Sequence, residues 1–113
     1  LISRREDYCL SLPGARAEFP FGPDPKVMKV GGKMFALLSG DGDAISLKCD
    51  PAIAERLREQ HAAVKPGYHL NKKHWNTIAL DGTFTLSELT DMVRHSYDLV
   101  VSGLPKAERA KLK

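Results

Sequence analysis

The stretch Lys26-Val27-Met28-Lys29-Val30-Gly31-Gly32-Lys33-Met34-Phe35-Ala36-Leu37-Leu38 constrains the fold more than any other part of the chain. Two glycines between two apolar runs favour a tight hairpin, because a primed two-residue turn needs positive φ at both central positions. The pattern around it extends the hairpin. Ala17, Phe19 and Phe21 alternate with Glu18 and Pro20 ahead of it, and after the turn Gly40-Asp41-Gly42-Asp43 the residues Ile45, Leu47 and Cys49 alternate with Ser46 and Lys48. Four strands joined by short turns imply an antiparallel sheet with one face covered.

Helix signals flank this sheet. Ser3-Arg4-Arg5-Glu6 is a capping-box pattern, and the pair Tyr8 and Leu12 predicts a helix from about Arg4 to Leu12, stopped by Pro13-Gly14. Asp50 as N-cap and Pro51 as first residue open a second helix to about Gln60, with Ile53 and Leu57 inward and Glu55, Arg56, Arg58 and Glu59 as a mixed solvated surface. A short strand is expected over Asn76 to Leu80, then a turn at Asp81-Gly82. Thr85-Leu86-Ser87-Glu88 starts the longest helix, where Leu86, Leu89, Val93, Tyr97, Val100 and Leu104 recur at three- and four-residue steps. Gly103 ends it, and from Pro105 onward a polar helix or a frayed tail follows. The expected fold class is α+β, an antiparallel sheet with helices packed on one face, in the order α-β-β-β-β-α-β-α with a short C-terminal helix as an option.

The 113 residues form one expected domain, large enough to hide roughly two-thirds of the unfolded surface. Cys9 and Cys49 sit in no Cys/His array and read as small buried apolar residues of a reducing compartment. No apolar run approaches the ~20 residues of a membrane span, and Leu1 to Cys9 lacks the core of a signal peptide, so a cytoplasmic protein is expected. Seventeen basic against fourteen acidic residues give a formal charge of +3, too small to demand an anionic partner.

The densest chemistry lies in Gly67-Tyr68-His69-Leu70-Asn71-Lys72-Lys73-His74-Trp75-Asn76-Thr77, which holds the only Trp. A metal site does not suit it: His69 and His74 are five apart rather than three or four, Lys72 and Lys73 repel cations, and no carboxylate lies between Gln60 and Leu80. Neither cysteine can be paired with a base, and the glycine turns join strand to strand rather than leading into a helix as phosphate loops do. No metal, cofactor or catalytic residue is therefore expected, and a non-enzymatic role is. Two readings of the segment stand. In one it binds nucleic acid: Lys65, Lys72 and Lys73 meet phosphates, Asn71 and Asn76 reach sugar or base edges, and Trp75, Tyr68 or His74 stacks on a base. Lys26, Lys29 and Lys33 beside Gly31-Gly32 would then make a second basic projection. In the other the segment is a clasp, with Trp75 a core plug, Asn71 tying down the loop and His69 a buried hydrogen-bond donor. The readings combine if the clasped loop presents Lys72 and Lys73 outward.

The blocks Glu18 to Ser39, Ile45 to Pro51, Tyr68 to Gly82 and Ser96 to Pro105 resemble, in order and spacing, the bacterial MmcQ/YjbR family, most specifically at His69-Leu70-Asn71-Lys72 followed by Trp75. The resemblance implies a small cytoplasmic α+β domain with a frataxin-like or secretion-chaperone-like fold, and a "double-wing" mode of DNA binding has been proposed for such proteins. Frataxin-type iron binding does not carry over, because the first helix offers only Glu6 and Asp7. The resulting expectation is weak, backbone-directed DNA binding through basic loops. The alternative is a chaperone-like module that binds a protein or a small ligand.

Overall fold

Gly31 and Gly32 adopt φ of +59° and +80°, the left-handed pair that a primed hairpin turn requires. The turn joins two strands with the expected limits, β2 (Lys26–Val30) and β3 (Lys33–Leu38). The computed structural model describes residues 2–67 and 70–112, with side chains from Glu6 onward. Around the hairpin run α1 (Ile2–Ser11), β1 (Arg16–Glu18), β4 (Ala44–Lys48), α2 (Pro51–Gln60), β5 (Val64–Pro66), β6 (Trp75–Ala79), α3 (Leu86–Ser102) and α4 (Lys106–Ala110). The sheet has the order β1-β2-β3-β4-β6-β5, and every neighbouring pair is antiparallel. The α+β class and the layer of helices on one face hold. No helix among the described residues is long and apolar enough to cross a membrane.

A bulge explains why Met34 to Leu38 do not alternate. Met28 pairs with Ala36 and Lys29 with Met34, so Phe35 is an extra residue on β3. The extra residue shifts the phase: Phe35, Ala36 and Leu38 enter the main core, while Met34 and Leu37 turn to the opposite face. The Phe35 carbonyl accepts a hydrogen bond from the Ser96 hydroxyl of α3, and that hydroxyl in turn accepts from the Lys48 N–H at 2.9 Å. One fully buried side chain thus satisfies two backbone groups where the β3–β4 pairing breaks off.

Cross-strand register assigns the faces, because directly paired residues share one. The row Leu38, Ile45, Ile78 and Val64 lies under the helices, beside the row Met28, Ala36, Leu47 and Asn76. On the other face run Val27, Leu37, Ser46, Thr77 and Lys65. Helix α3 lies across the first face with Leu89, Val93, Tyr97 and Val100 buried, and its capping box is formed by Glu88 N–H to Thr85 Oγ1 (3.1 Å) and Thr85 N–H to Glu88 Oε1 (2.8 Å). Leu104, just past its end, packs on the hairpin turn so closely that a Cβ on Gly31 would stand 2.7 Å from it.

Four expectations give way. Helix α1 begins at Ile2, so Ser3 lies inside it rather than at its cap, and the Ser3 side chain is outside the described ones. Strand β1 stops at Glu18; Pro20 has no N–H to offer a ladder, and Phe19 and Phe21 are 52% and 60% exposed. Ile53 does not enter the core but stays 40% exposed, and Ala54 is the buried residue of α2. Strand β5 was not anticipated. With three residues and one buried side chain it shows no period, and it takes the sheet edge where its Pro66 is tolerated.

Candidate nucleic-acid interface

Between β5 and β6, backbone hydrogen bonds tie the described residues of the connecting loop to one another. Gly67 N–H donates to the Trp75 carbonyl (2.9 Å), while His74 and Trp75 N–H both donate to the Asn71 carbonyl (3.2 and 3.0 Å). The Asn71 side-chain oxygen accepts from Lys73 N–H at 2.9 Å, which fixes the turn that carries the two lysines. From outside the loop, the Arg58 guanidinium of α2 donates to the Lys72 carbonyl (2.8 Å), and the His74 carbonyl accepts from Cys49 N–H (2.8 Å). Trp75 is 8% exposed and packs with Val27, Leu37, Met34 and Leu70 on the sheet face away from the helices. The clasp reading therefore describes Asn71 and Trp75 well. A buried ring is not offered to a base for stacking. Tyr68 and His69, expected to stack and to clasp, lie outside the described residues.

The two adjacent lysines differ. Both residues are exposed, but Lys72 folds its amine back onto the Gly67 carbonyl (3.2 Å) and so serves the clasp, whereas Lys73 is tied through its backbone N–H to the Asn71 side chain. Lys65 is exposed on the uncovered face of the edge strand. His74 is half-buried. Asn76 is 1% exposed and faces the helices, where its amide donates to the Ala54 carbonyl of α2 at 3.3 Å, so it is turned away from any ligand of the loop.

The hairpin lysines do not gather into one projection. Lys26 shares the helix-covered face with Leu38 and pairs with Glu6 of α1 at 2.9 Å, its amine 5.8 Å from the Phe19 ring. Lys29 points to the opposite face and pairs with Glu18 at 3.3 Å. Only Lys33, beside the turn, remains exposed. The bond from Arg58 to the Lys72 carbonyl sets that guanidinium beside the loop that carries Lys72 and Lys73, while Lys65 stands just ahead of the loop on the uncovered face of β5, and none of the four lies within ion-pair distance of a described carboxylate. Arg58 was hidden among the charges of α2, and nothing in its sequence neighbourhood marks it as the loop's anchor.

The cysteines behave as buried apolar groups. Cys9 is fully buried, and burial, with the Glu6 carboxylate adding to it, pushes its thiol up to about 12. Cys49 is also raised, by burial and then by Asp50. Such thiols stay protonated at neutral pH and are poor nucleophiles. A separate concavity of about 240 Å³ opens between α2, α3 and the sheet, and Asn76 lines it. The Asn76 Oδ1 atom is buried without a hydrogen-bond partner among the described residues.

Comparison with known proteins agrees with this fold. The chain is 38% identical over 113 residues to the uncharacterized protein YjbR of Escherichia coli K12, covering 98% of this chain and 96% of that one. The crystal structure of Deinococcus radiodurans protein DR2400, a DUF419 domain, superposes with a TM-score of 0.90 at 42% identity, over 98% of this chain and 86% of the other. A Pseudomonas syringae protein gives a TM-score of 0.74 at 28% identity, over 86% and 96%. The YjbR family model matches residues 10–99, which span the hairpin, the clasped loop and most of α3, and the chain belongs to the YjbR family.

Proposed function

We propose that this chain is a non-enzymatic DNA-binding domain that holds the phosphate backbone weakly, through the β5 edge and the loop that follows it. The observation that carries the reading is the set of four cations, Arg58, Lys65, Lys72 and Lys73, beside a segment with no acidic residue between Gln60 and Leu80. Phosphate contacts position a protein on a duplex without reading sequence, and the hydrogen bond that fixes the turn at Lys73 lowers the entropy lost on making one there. The hairpin contributes little beyond Lys33, because Lys26 and Lys29 are already neutralised by Glu6 and Glu18. The expected mode is one basic edge rather than two equal wings.

About three phosphate contacts make the affinity fall roughly 40-fold between 50 and 200 mM salt. Titration of a labelled duplex at these two concentrations measures this directly. The double variant Lys65→Ala/Lys73→Ala is expected to flatten the log–log salt slope by about 2, while Lys106→Ala/Arg109→Ala on α4 leaves it unchanged. No binding at low salt, binding indifferent to salt, or equal loss in both double variants refutes the reading.

A further inference from the structure

Strands β3 and β4 separate before either ends. Their pairing stops at Ala36 and Leu47, while β3 reaches back to Lys33 and β4 runs on to Lys48, which pairs with Trp75 of β6. The fork between them is a cleft of about 270 Å³, closed by Leu99, Val100 and Gly103 at the end of α3. Met34 and Trp75 complete its apolar lining, and Lys33 and Lys48 supply its charge. Among the described residues the half-buried lysines are Lys26, Lys29 and Lys48. A charge drawn away from water is ordinarily matched by an opposite one. Lys26 has Glu6 at 2.9 Å and Lys29 has Glu18 at 3.3 Å. Lys48 has no described carboxylate within ion-pair distance, and neither has Lys33 on the facing strand of the fork.

Two unmatched cations beside apolar walls suit an anion with an apolar body. The volume sets the size. A dry cavity of about 150 Å³ holds benzene, so the fork has room for one ring and a small head group but not for a nucleotide. The carbonyl end of α3 stands beside the cleft and disfavours a doubly charged phosphate, which leaves a single negative charge as the better match. We infer that the fork between β3 and β4 binds a small carboxylate with a compact apolar body, its head held by Lys33 and Lys48 and its body against Met34, Trp75 and Leu99. The inference uses none of the four cations of the β5 edge and its loop, so it stands apart from the nucleic-acid reading.

Cyclohexanecarboxylate, cyclohexanecarboxamide and acetate test it, the second lacking the charge and the third the ring. Each is titrated at constant ionic strength into the ¹⁵N-labelled protein and followed by amide shifts. Cyclohexanecarboxylate is expected to move the backbone signals of Lys33, Lys48 and Gly103, and to bind about tenfold more tightly than either of the others. Lys33→Gln/Lys48→Gln is expected to erase the preference for the acid over the amide. Leu99→Trp, which fills the cleft, is expected to weaken the ring acid about fivefold or more. Absence of shifts with cyclohexanecarboxylate, or acetate binding as tightly as the ring acid, overturns the proposal. So does equal binding of acid and amide, the result if the two amines serve only the carbonyl end of α3. Should Leu99→Trp fail to fold, the three-probe comparison on the unaltered chain still decides.

Discussion

Replacing Gly67 by Ala sets two effects of opposite sign against each other. Gly67 does not need a left-handed backbone, so the substitution removes freedom from the unfolded chain and on that ground stabilises by about 0.4–1 kcal/mol. The folded loop has no room for the methyl group. A Cβ at this position stands 2.7 Å from Trp75 Cβ, 3.1 Å from Leu70 Cβ and 3.1 Å from the Trp75 carbonyl oxygen. None of these is the tip of a flexible side chain. Trp75 is held by strand pairing to Lys48 and by its packing against Val27 and Leu37, so relief must come from Gly67 moving outward, at the expense of its 2.9 Å hydrogen bond to Trp75. Overpacking of this kind costs about 1–3 kcal/mol, which exceeds the entropic gain. The net expectation is a loss of about 1–2 kcal/mol, and a melting point lower by about 4–8 °C in a chain of this size. Urea unfolding followed by tryptophan fluorescence is suited to it, because Trp75 is the only Trp and reports from the contact itself. A variant as stable as the parent, or more so, refutes the claim that backbone crowding at Trp75 dominates.

Ser96→Ala strands the Phe35 carbonyl and the Lys48 N–H in the core, and is expected to cost about 2–4 kcal/mol in the same urea assay, whereas the exposed Ser102→Ala stays within about 0.5 kcal/mol. The raised Cys9 thiol gives a signed pH dependence: the unfolded thiol ionises near its ordinary value of 9.0 while the folded one waits until about 12, so stability falls as pH rises from about 9 towards 12, and Cys9→Ala flattens that fall. In the native protein at pH 8 Cys9 is expected to resist a thiol reagent and to react once urea unfolds the chain; rapid native labelling counts against its burial.

Much of the fold was legible because the signals were local. The Gly31-Gly32 turn, the Asp50-Pro51 start of α2 and the Thr85…Glu88 box each declare an element within four residues, and all three formed as expected. What could not be read depends on distance. Lys26, Lys29 and Lys33 are neighbours in the chain, but alternation along β2 sends Lys26 and Lys29 to opposite faces, where acids brought in from α1 and β1 meet them. The difference between Lys72 and Lys73 likewise arises from a loop closing back on Gly67. Asn76 was a readable case that went unread: strand alternation puts it with Ile78, under the helices, and apart from Trp75 and Thr77.

The order β4-β6-β5 also bears on how the chain must assemble. The meander from β1 to β4 closes on itself through short turns, the kind of contact that forms early. Strand β6 pairs with β4 across 31 residues, as in the Ser46–Thr77 contact, and β5 has nothing to pair with until β6 arrives. During synthesis the β4 edge therefore stays open, with Ile45 and Leu47 beside unpaired backbone groups, until the chain has grown past Ala79. That interval is when a nascent copy is most exposed to edge-to-edge pairing with another, and one late strand ends it.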